Sequence, residues 1–415
     1  MRTYGRRVVI TGQGAITPVG LSVEEFWDSL LAGRSGVGPI QSFDTEGLPV
    51  TIAGEVKGFD PVDYMPRTVS RRIDKYAQFA VAAAMQAVEN AKFLVDDANT
   101  HRVGILIGSG YGPTALVQSG TLTLDSRGHR ALAPWLSAAT SIDCAAGEVA
   151  LRLGATGPSG AVSTACASGT SAVGEALRMI QRGDVDAMIA GGADNSITSF
   201  DIGSTAMSRA LSRRNDDPQR ASRPFDKDRD GFVMAAGAGA LVLEDARSAE
   251  RRGAPILAEV VGYGATSDAY HPTAPHPEGL GARRAMQLAL DDAGVAASAV
   301  DHINAHATST VLNDRTEAAA IRKVFGDHAP RIPITGVKSM TGHMIGAAGA
   351  VELIATVQTL LTGIVPPTIN CDDPEDPGLD FVPHRPRQHD VKVAMSNSFG
   401  FAGHNATLVV RRYEH

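Results

Sequence analysis

The chain has 415 residues, 43% of them hydrophobic, and a formal net charge of −7. That length exceeds one average domain, and the negative balance argues against nucleic acid as a partner. Cys144, Cys166 and Cys371 show no paired or metal-like spacing, which argues against a disulfide scaffold and for a reducing compartment.

From the N-terminus, an apolar strand is expected over 8–11, after a start whose apolar stretch is too short for a signal peptide. Ser22-x-x-Glu25 reads as a capping box opening a helix to about Leu31. A helix over 74–91 and a buried strand over 103–107 follow, the strand ended by Gly108-Ser109-Gly110. Then comes a strand-to-helix turn, Ser163-Thr164-Ala165-Cys166-Ala167-Ser168-Gly169. Its helix is legible in Ala172, Val173, Ala176, Leu177 and Ile180, and Gly183 stops it. A thiol beside a helix N-terminus meets unpaired N–H groups and the positive end of the macrodipole, so Cys166 is expected to ionise readily and act as a nucleophile.

A strand over 186–190 comes next, then two strands over 232–244 around Gly237 and Gly239. Segments 116–135 and 196–230 read as excursions from the core, with the charge-rich 220–231 as a surface loop. The second part repeats the alternation: strand 256–261, helix 280–293, strand 302–305, helix 313–325, strand 332–336, helix 346–361, and strands 391–396 and 407–410. No apolar run is expected to reach the roughly 18–20 residues of a membrane span. This pattern predicts a layered α/β protein with a half over residues 1–250 and a half over 251–415. Gly12-x-Gly14 and Gly262-x-Gly264 each end the first strand of a half and hint at duplication.

Two histidines sit among small residues after strands: His306 in Asn304-Ala305-His306-Ala307-Thr308-Ser309-Thr310, and His343 in Lys338-Ser339-Met340-Thr341-Gly342-His343. Neutral imidazoles can donate to a developing oxyanion or shuttle a proton. Two histidines without a general-base carboxylate suit a decarboxylation, where loss of carbon dioxide itself makes the carbanion.

With these blocks, and with Asp226-Lys227-Asp228-Arg229-Asp230-Gly231, Val365-Pro366-Pro367-Thr368 and Asn397-Ser398-Phe399-Gly400-Phe401, the chain resembles the elongating β-ketoacyl-acyl-carrier-protein synthases of the thiolase superfamily over nearly its whole length. The resemblance implies a five-layered α/β/α/β/α sandwich of two duplicated halves. It implies an acyl-accepting Cys166, and a His306–His343 pair that holds the malonyl thioester. The Cys166 and Phe399 backbone N–H groups would form an oxyanion hole, with Gly400 giving backbone freedom and the Phe399 ring a gate. Lys338 and Glu352 would be a supporting charged pair. Thr308 and Thr310 would bind the pantetheine arm, and Tyr111, Thr205 and Phe401 would contact the substrate. No resident cofactor or catalytic metal is implied, because phosphopantetheine arrives on the carrier protein; a monovalent cation near Glu352 and Ser396 is left open.

The partners implied are an acidic acyl carrier protein and a second subunit, either another copy or a chain-length factor; no membrane is involved. Arg67, Arg71, Arg72 and Lys75 form one candidate docking patch, and Arg209, Arg213 and Arg214 another. Tyr111 and Thr205 depart from the family's usual small or aliphatic and aromatic residues. They point to a specialised polyketide or polyene pathway rather than long saturated chains. Ala307 and Ala402 stand where the family commonly has glycine.

Four rival readings are weaker. A dinucleotide-binding turn at Gly12-x-Gly14 does not run into a helix N-terminus, because Pro18 intervenes. A silent chain-length subunit would lack the cysteine, a degradative thiolase would carry a second cysteine near Ser396–Phe399, and an initiating synthase would have Asn in place of His343.

Overall fold

The computed structural model describes residues 5–414. Ten strands form one continuous sheet: β1 (Val8–Ile16), β2 (Val103–Gly108), β3 (Ser159–Val162), β4 (Ala187–Asp194), β5 (Gly237–Asp245), β6 (Ala258–Ser267), β7 (His302–Asn304), β8 (Ile334–Thr335), β9 (Val393–Phe399) and β10 (His404–Arg411). From the centre outward the first half runs β1-β5-β4-β2-β3 and the second β6-β10-β9-β7-β8. The directions repeat as well: two antiparallel pairings followed by two parallel ones in each half. The halves meet where Val8–Ile10 pairs antiparallel with Ala258–Val260.

Nine helices concern the site and its cover: α1 (Val23–Leu31), α2 (Lys75–Asn90), α3 (Thr114–Arg127), α4 (Cys144–Leu153), α5 (Ser168–Arg182), α6 (Ser199–Met207), α7 (Leu280–Ala293), α8 (Val311–Phe325) and α9 (Ala348–Thr362). Helices α5 and α9 pack on each other between the two halves. Outside, α2 covers β1, β4 and β5, while α7 covers β6 and β10. This is the five-layered arrangement of the thiolase fold.

The two Gly-x-Gly motifs have a packing cause. A Cβ at Gly12 or Gly14 would meet the α2 carbonyls of Ala87 and Ala83 at 2.1 and 2.0 Å. At Gly262 or Gly264 it would meet the α7 carbonyls of Ala289 and Ala285 at 2.2 Å in both cases. Each half therefore uses glycine to let its outer helix lie on its first strand.

Several expectations are corrected. Ser22 caps α1 by accepting from Glu25 N, but the Glu25 carboxylate returns to Leu21 N rather than to Ser22 N. Residues 232–236 are not a strand; single bridges from Phe232 to Leu211 and from Met234 to His343 pin them beside the site. The loop over 220–231 is not a surface loop at its charged centre. Arg223 and Arg229 are buried, and Arg229 binds the carboxylates of Asp314 and Glu375 and the carbonyls of Thr310 and Val311. Guanidinium donors met by carboxylates and carbonyls can be buried where unpaired charges cannot. Finally, Ile345–Thr362 is long and apolar enough to cross a membrane, yet 83% of it is buried inside the protein, where it forms the central α9 layer.

Candidate active site

The chain leaves β3 at Val162 and turns sharply into α5. Ala165 takes φ 50° and Ser168 Oγ receives Thr164 N at 2.9 Å, which closes the turn under Cys166. From the second half, the chain leaves β7 into His306 and leaves β8 into Lys338 and His343. The Cys166 sulfur and a ring nitrogen of each histidine all lie within 4.8 Å of one another. Three residues spread over 178 positions thus meet at the inner ends of the strands.

Every loop at this centre holds a non-glycine residue in the left-handed region: Ala165, Ala307, Ser309, Ile345 and Ala402. Such strain persists only where surrounding contacts over-determine the backbone. The two positions where the family commonly has glycine, Ala307 and Ala402, are among them.

His306 is locked from three sides. Glu317 accepts from its N–H and from that of Ala307, both at 2.8 Å. Lys338 Nζ donates to the His306 carbonyl at 2.6 Å, approaches its Nδ1 at 3.3 Å, and ion-pairs with Glu352. An ammonium can only donate, so Nδ1 accepts and the ring proton sits on Nε2. His343 is held by backbone bonds to Val233 and Ala235 and by the Phe232 ring at 5.2 Å, while neither ring nitrogen has a partner among the described residues. The two imidazoles stand edge to face at 5.3 Å. Burial, reinforced by the Lys338 cation, holds both well below the usual histidine range, so both are neutral. Burial also pushes Glu352 and Glu317 up to about 7.

The cysteine corrects the expectation of a ready thiolate. Burial pushes the Cys166 thiol up to about 11; Lys338 and the backbone N–H groups of Phe401 and of Cys166 itself pull the other way without offsetting it. Loss of hydration outweighs the helix terminus here. The backbone N–H groups that favour the thiolate are those of Cys166 and Phe401. Phe399 stays in β9 opposite Asn405, its ring 5.9 Å from His306. Gly400 makes the close approach: a Cβ there would stand 3.0 Å from Cys166 N.

An open cavity leads to this centre, lined by Cys166, His306, His343, Thr308, Thr310, Phe399, Gly400, Phe401 and Arg209 among others. The Thr308 and Thr310 hydroxyls lie 3.0 Å apart. Tyr111 and Thr205 are not part of this opening. The Tyr111 hydroxyl lies 3.0 Å from Thr205 Oγ1, and Tyr111, like Phe401, packs against the apolar cluster that includes Cys166 and Ile202. Arg213 is exposed on the loop beyond Arg209, and Arg214 pairs with Asp217. Arg67 opens the short helix Arg67–Ser70, Arg71 and Arg72 follow in the turn after it, and Lys75 starts α2, all away from the cavity lining; Arg72 pairs with Glu148. The two basic groups do not share one pocket.

Beneath Lys338, Glu352 Oε2, Ser396 Oγ and both polar atoms of Asn304 are buried without a partner among the described residues. Asn304 and Ser396 are paired neighbours on β7 and β9, and α9, which carries Glu352, packs on both strands. Orphaned buried oxygens of this kind fit a cation.

A buried thiol at a strand-to-helix turn, facing two neutral imidazoles on a layered α/β scaffold, is the kind of site that acyl-transfer enzymes use. Residues 5–249 match the β-ketoacyl synthase N-terminal domain and residues 257–372 its C-terminal domain. The chain is 46% identical to a 3-oxoacyl-[acyl-carrier-protein] synthase 2 of Synechocystis sp. over 99% of both chains. Among solved structures, it superposes with a TM-score of 0.91 on the ishigamide ketosynthase/chain length factor, at 40% identity over 99% of this chain and 100% of that one. It superposes equally well, at 35% identity and the same coverage, on a type II polyketide ketosynthase bound to the hexaketide, in complex with its acyl-carrier protein. The chain belongs to the β-ketoacyl synthase family, and it is a condensing acyltransferase.

Proposed function

We propose that Cys166 accepts an acyl group from a carrier-protein thioester and that His306 and His343 then drive decarboxylative condensation with malonyl carrier protein, in a specialised polyketide or polyene pathway. The meeting of one sulfur and two neutral imidazoles within 4.8 Å carries this reading. The sulfur attacks the acyl carbonyl, the pantetheine sulfur leaves, and the thiol proton passes to it through a neutral imidazole. Cys166 N–H and Phe401 N–H stabilise the tetrahedral oxyanion. In the second step, His306 Nε2–H and an N–H of His343 donate to the malonyl thioester oxygen as carbon dioxide leaves. The resulting carbanion forms the new carbon–carbon bond at the acyl–Cys166 carbonyl, the carbon–sulfur bond breaks, and the expelled thiolate takes a proton from water to restore the thiol. Lys338 fixes the His306 tautomer. Thr308 and Thr310 line the arm's path. A monovalent cation at Asn304, Glu352 and Ser396 would neutralise the second Glu352 oxygen and so hold the Lys338 pair in place.

The division at residue 250 is part of this reading, supported by the repeated strand order. A second subunit is supported by α3, which buries no residue and exposes Leu122 at 61%, and by the edge strand β3. That subunit is another copy or a chain-length factor. Arg209 at the cavity mouth, with the exposed Arg213 beyond it, is the better-placed contact for an acidic carrier protein; Arg67, Arg71, Arg72 and Lys75 are a separate basic group and the second candidate. A cytoplasmic location agrees with three free cysteines.

The Tyr111–Thr205 bond supports the specialised pathway, because it sets a bulky ring and two hydroxyls against the apolar cluster that holds Cys166, where a long saturated chain would need room. Identity of 46% to a synthase 2 supports the alternative, elongation of fatty acids. Loading with acyl-carrier thioesters of graded length separates the two. Short or unsaturated chains are expected to condense best, and Tyr111→Ala to raise kcat/KM for long saturated chains by about 10-fold. Efficient condensation of long saturated chains by the homodimer would sink the specialised reading.

A further inference from the structure

Asp194 closes β4 as a fully buried carboxylate. Five hydrogen bonds converge on it. Oδ1 accepts from Ser109 Oγ at 2.8 Å, Tyr111 N at 3.1 Å and Gly112 N at 3.3 Å. Oδ2 accepts from Gly110 N at 2.8 Å and Gly346 N at 2.7 Å. The first four donors belong to the loop that carries Tyr111. The fifth lies three residues past His343, in the other half of the molecule.

The space around this junction is full. A Cβ at Gly346 would stand 2.5 Å from Gly110 N and 2.6 Å from Asp194 Oδ2. One at Gly110 would meet Ile345 Cγ2 at 2.7 Å and the carbonyl of Ala165, next to Cys166, at 3.3 Å. The pocket loop, the nucleophile turn and the His343 loop therefore interlock, and Asp194 is the polar group that ties the first to the last.

We propose that Asp194 is a positioning residue that fixes the Tyr111 loop against the His343 loop, so that the acyl pocket and the decarboxylating imidazole keep one register. The proposal rests on the catalytic reading above. Only a carboxylate meets this donor set. An amide has one acceptor oxygen, and its NH2 would face N–H groups at either the pocket loop or the Gly110–Gly346 bridge.

Asp194→Asn and Ser109→Ala, which removes one of the five bonds, test it, with Cys166→Ala run in parallel. In Asp194→Asn, alkylation of Cys166 by iodoacetamide is expected to stay within about 3-fold of wild type while condensation kcat falls about 10- to 100-fold. The kcat/KM ratio between short and long acyl chains should move toward one in both variants, less in Ser109→Ala. A folded Asp194→Asn with the wild-type ratio, whether or not kcat falls, overturns the proposal. If Asp194→Asn does not fold, an unchanged ratio in Ser109→Ala overturns it. Condensation by Cys166→Ala would instead overturn the catalytic reading and leave the role of Asp194 to be judged by the ratio alone.

Discussion

The two halves share strand order and direction but carry different loads. In the first, the loop after the second strand holds Tyr111 and leads into α3; in the second, the equivalent loop holds His306 and leads into α8. Helix α8 buries six residues, among them Asp314 and Glu317, which anchor the His306 loop, whereas α3 buries none. After the third strand, the first half places Cys166 ahead of α5 and the second places Lys338 and His343 ahead of α9. One topology thus delivers a thiol from one side and two imidazoles from the other. What differs is side-chain chemistry: the second half surrounds its histidines with buried charge, and the first surrounds its sulfur with apolar packing.

The sharpest way to break this division is to remove each contribution in turn. Cys166→Ala is expected to abolish the acyl adduct seen by intact mass and to cut condensation by on the order of 10⁴-fold or more, while carbon dioxide release from malonyl carrier protein persists. His343→Ala is expected to do the reverse, losing about 10²- to 10³-fold in carbon dioxide release while Cys166 still loads. Equal loss of both half-reactions in both variants would show that the halves do not divide the work.

The charge stored in the second half is tested by Lys338→Ala, which leaves Glu352 buried without its partner. A loss of about 3–5 kcal/mol is expected in denaturant unfolding, well above that of an exposed lysine. The apolar surroundings of the sulfur are tested by pH. With the thiol pushed up to about 11, the thiolate fraction grows tenfold per pH unit below that value. Iodoacetamide alkylation should therefore keep rising from pH 7 to 10; a plateau by pH 8 would mean that the helix terminus wins over burial. The smallest effect concerns backbone strain. Ala402 sits at φ 59°, and Ala402→Gly is expected to stabilise by at most about 1 kcal/mol, read as a small rise in Tm.

Much of the site was legible before any coordinates. Cys166, His306 and His343 each follow a strand and precede a helix, and such junctions collect at one end of a layered α/β sheet. The Lys338–Glu352 pair was expected only from the family resemblance, and the structure brings the two together as a buried ion pair. The influence of the Phe401 N–H on the thiol was not foreseen, because it depends on the turn at Gly400 and not on residue type. Asp194 was missed because an aspartate after Gly191-Gly192-Ala193 looks like any strand end; its five donors come from residues 82 to 152 positions away.

Local pattern by itself determined most of the alternation of strands and helices and placed Cys166, His306 and His343 at strand ends; the roles expected of those three came from the family resemblance. The alternation and those positions follow from periodicity and turn chemistry. Tertiary structure alone decided that the thiol is held neutral, that charged residues 223 and 229 go inside, and which amides favour the thiolate. Hydration and hydrogen-bond geometry are set by neighbours distant in the chain, and no local window contains them.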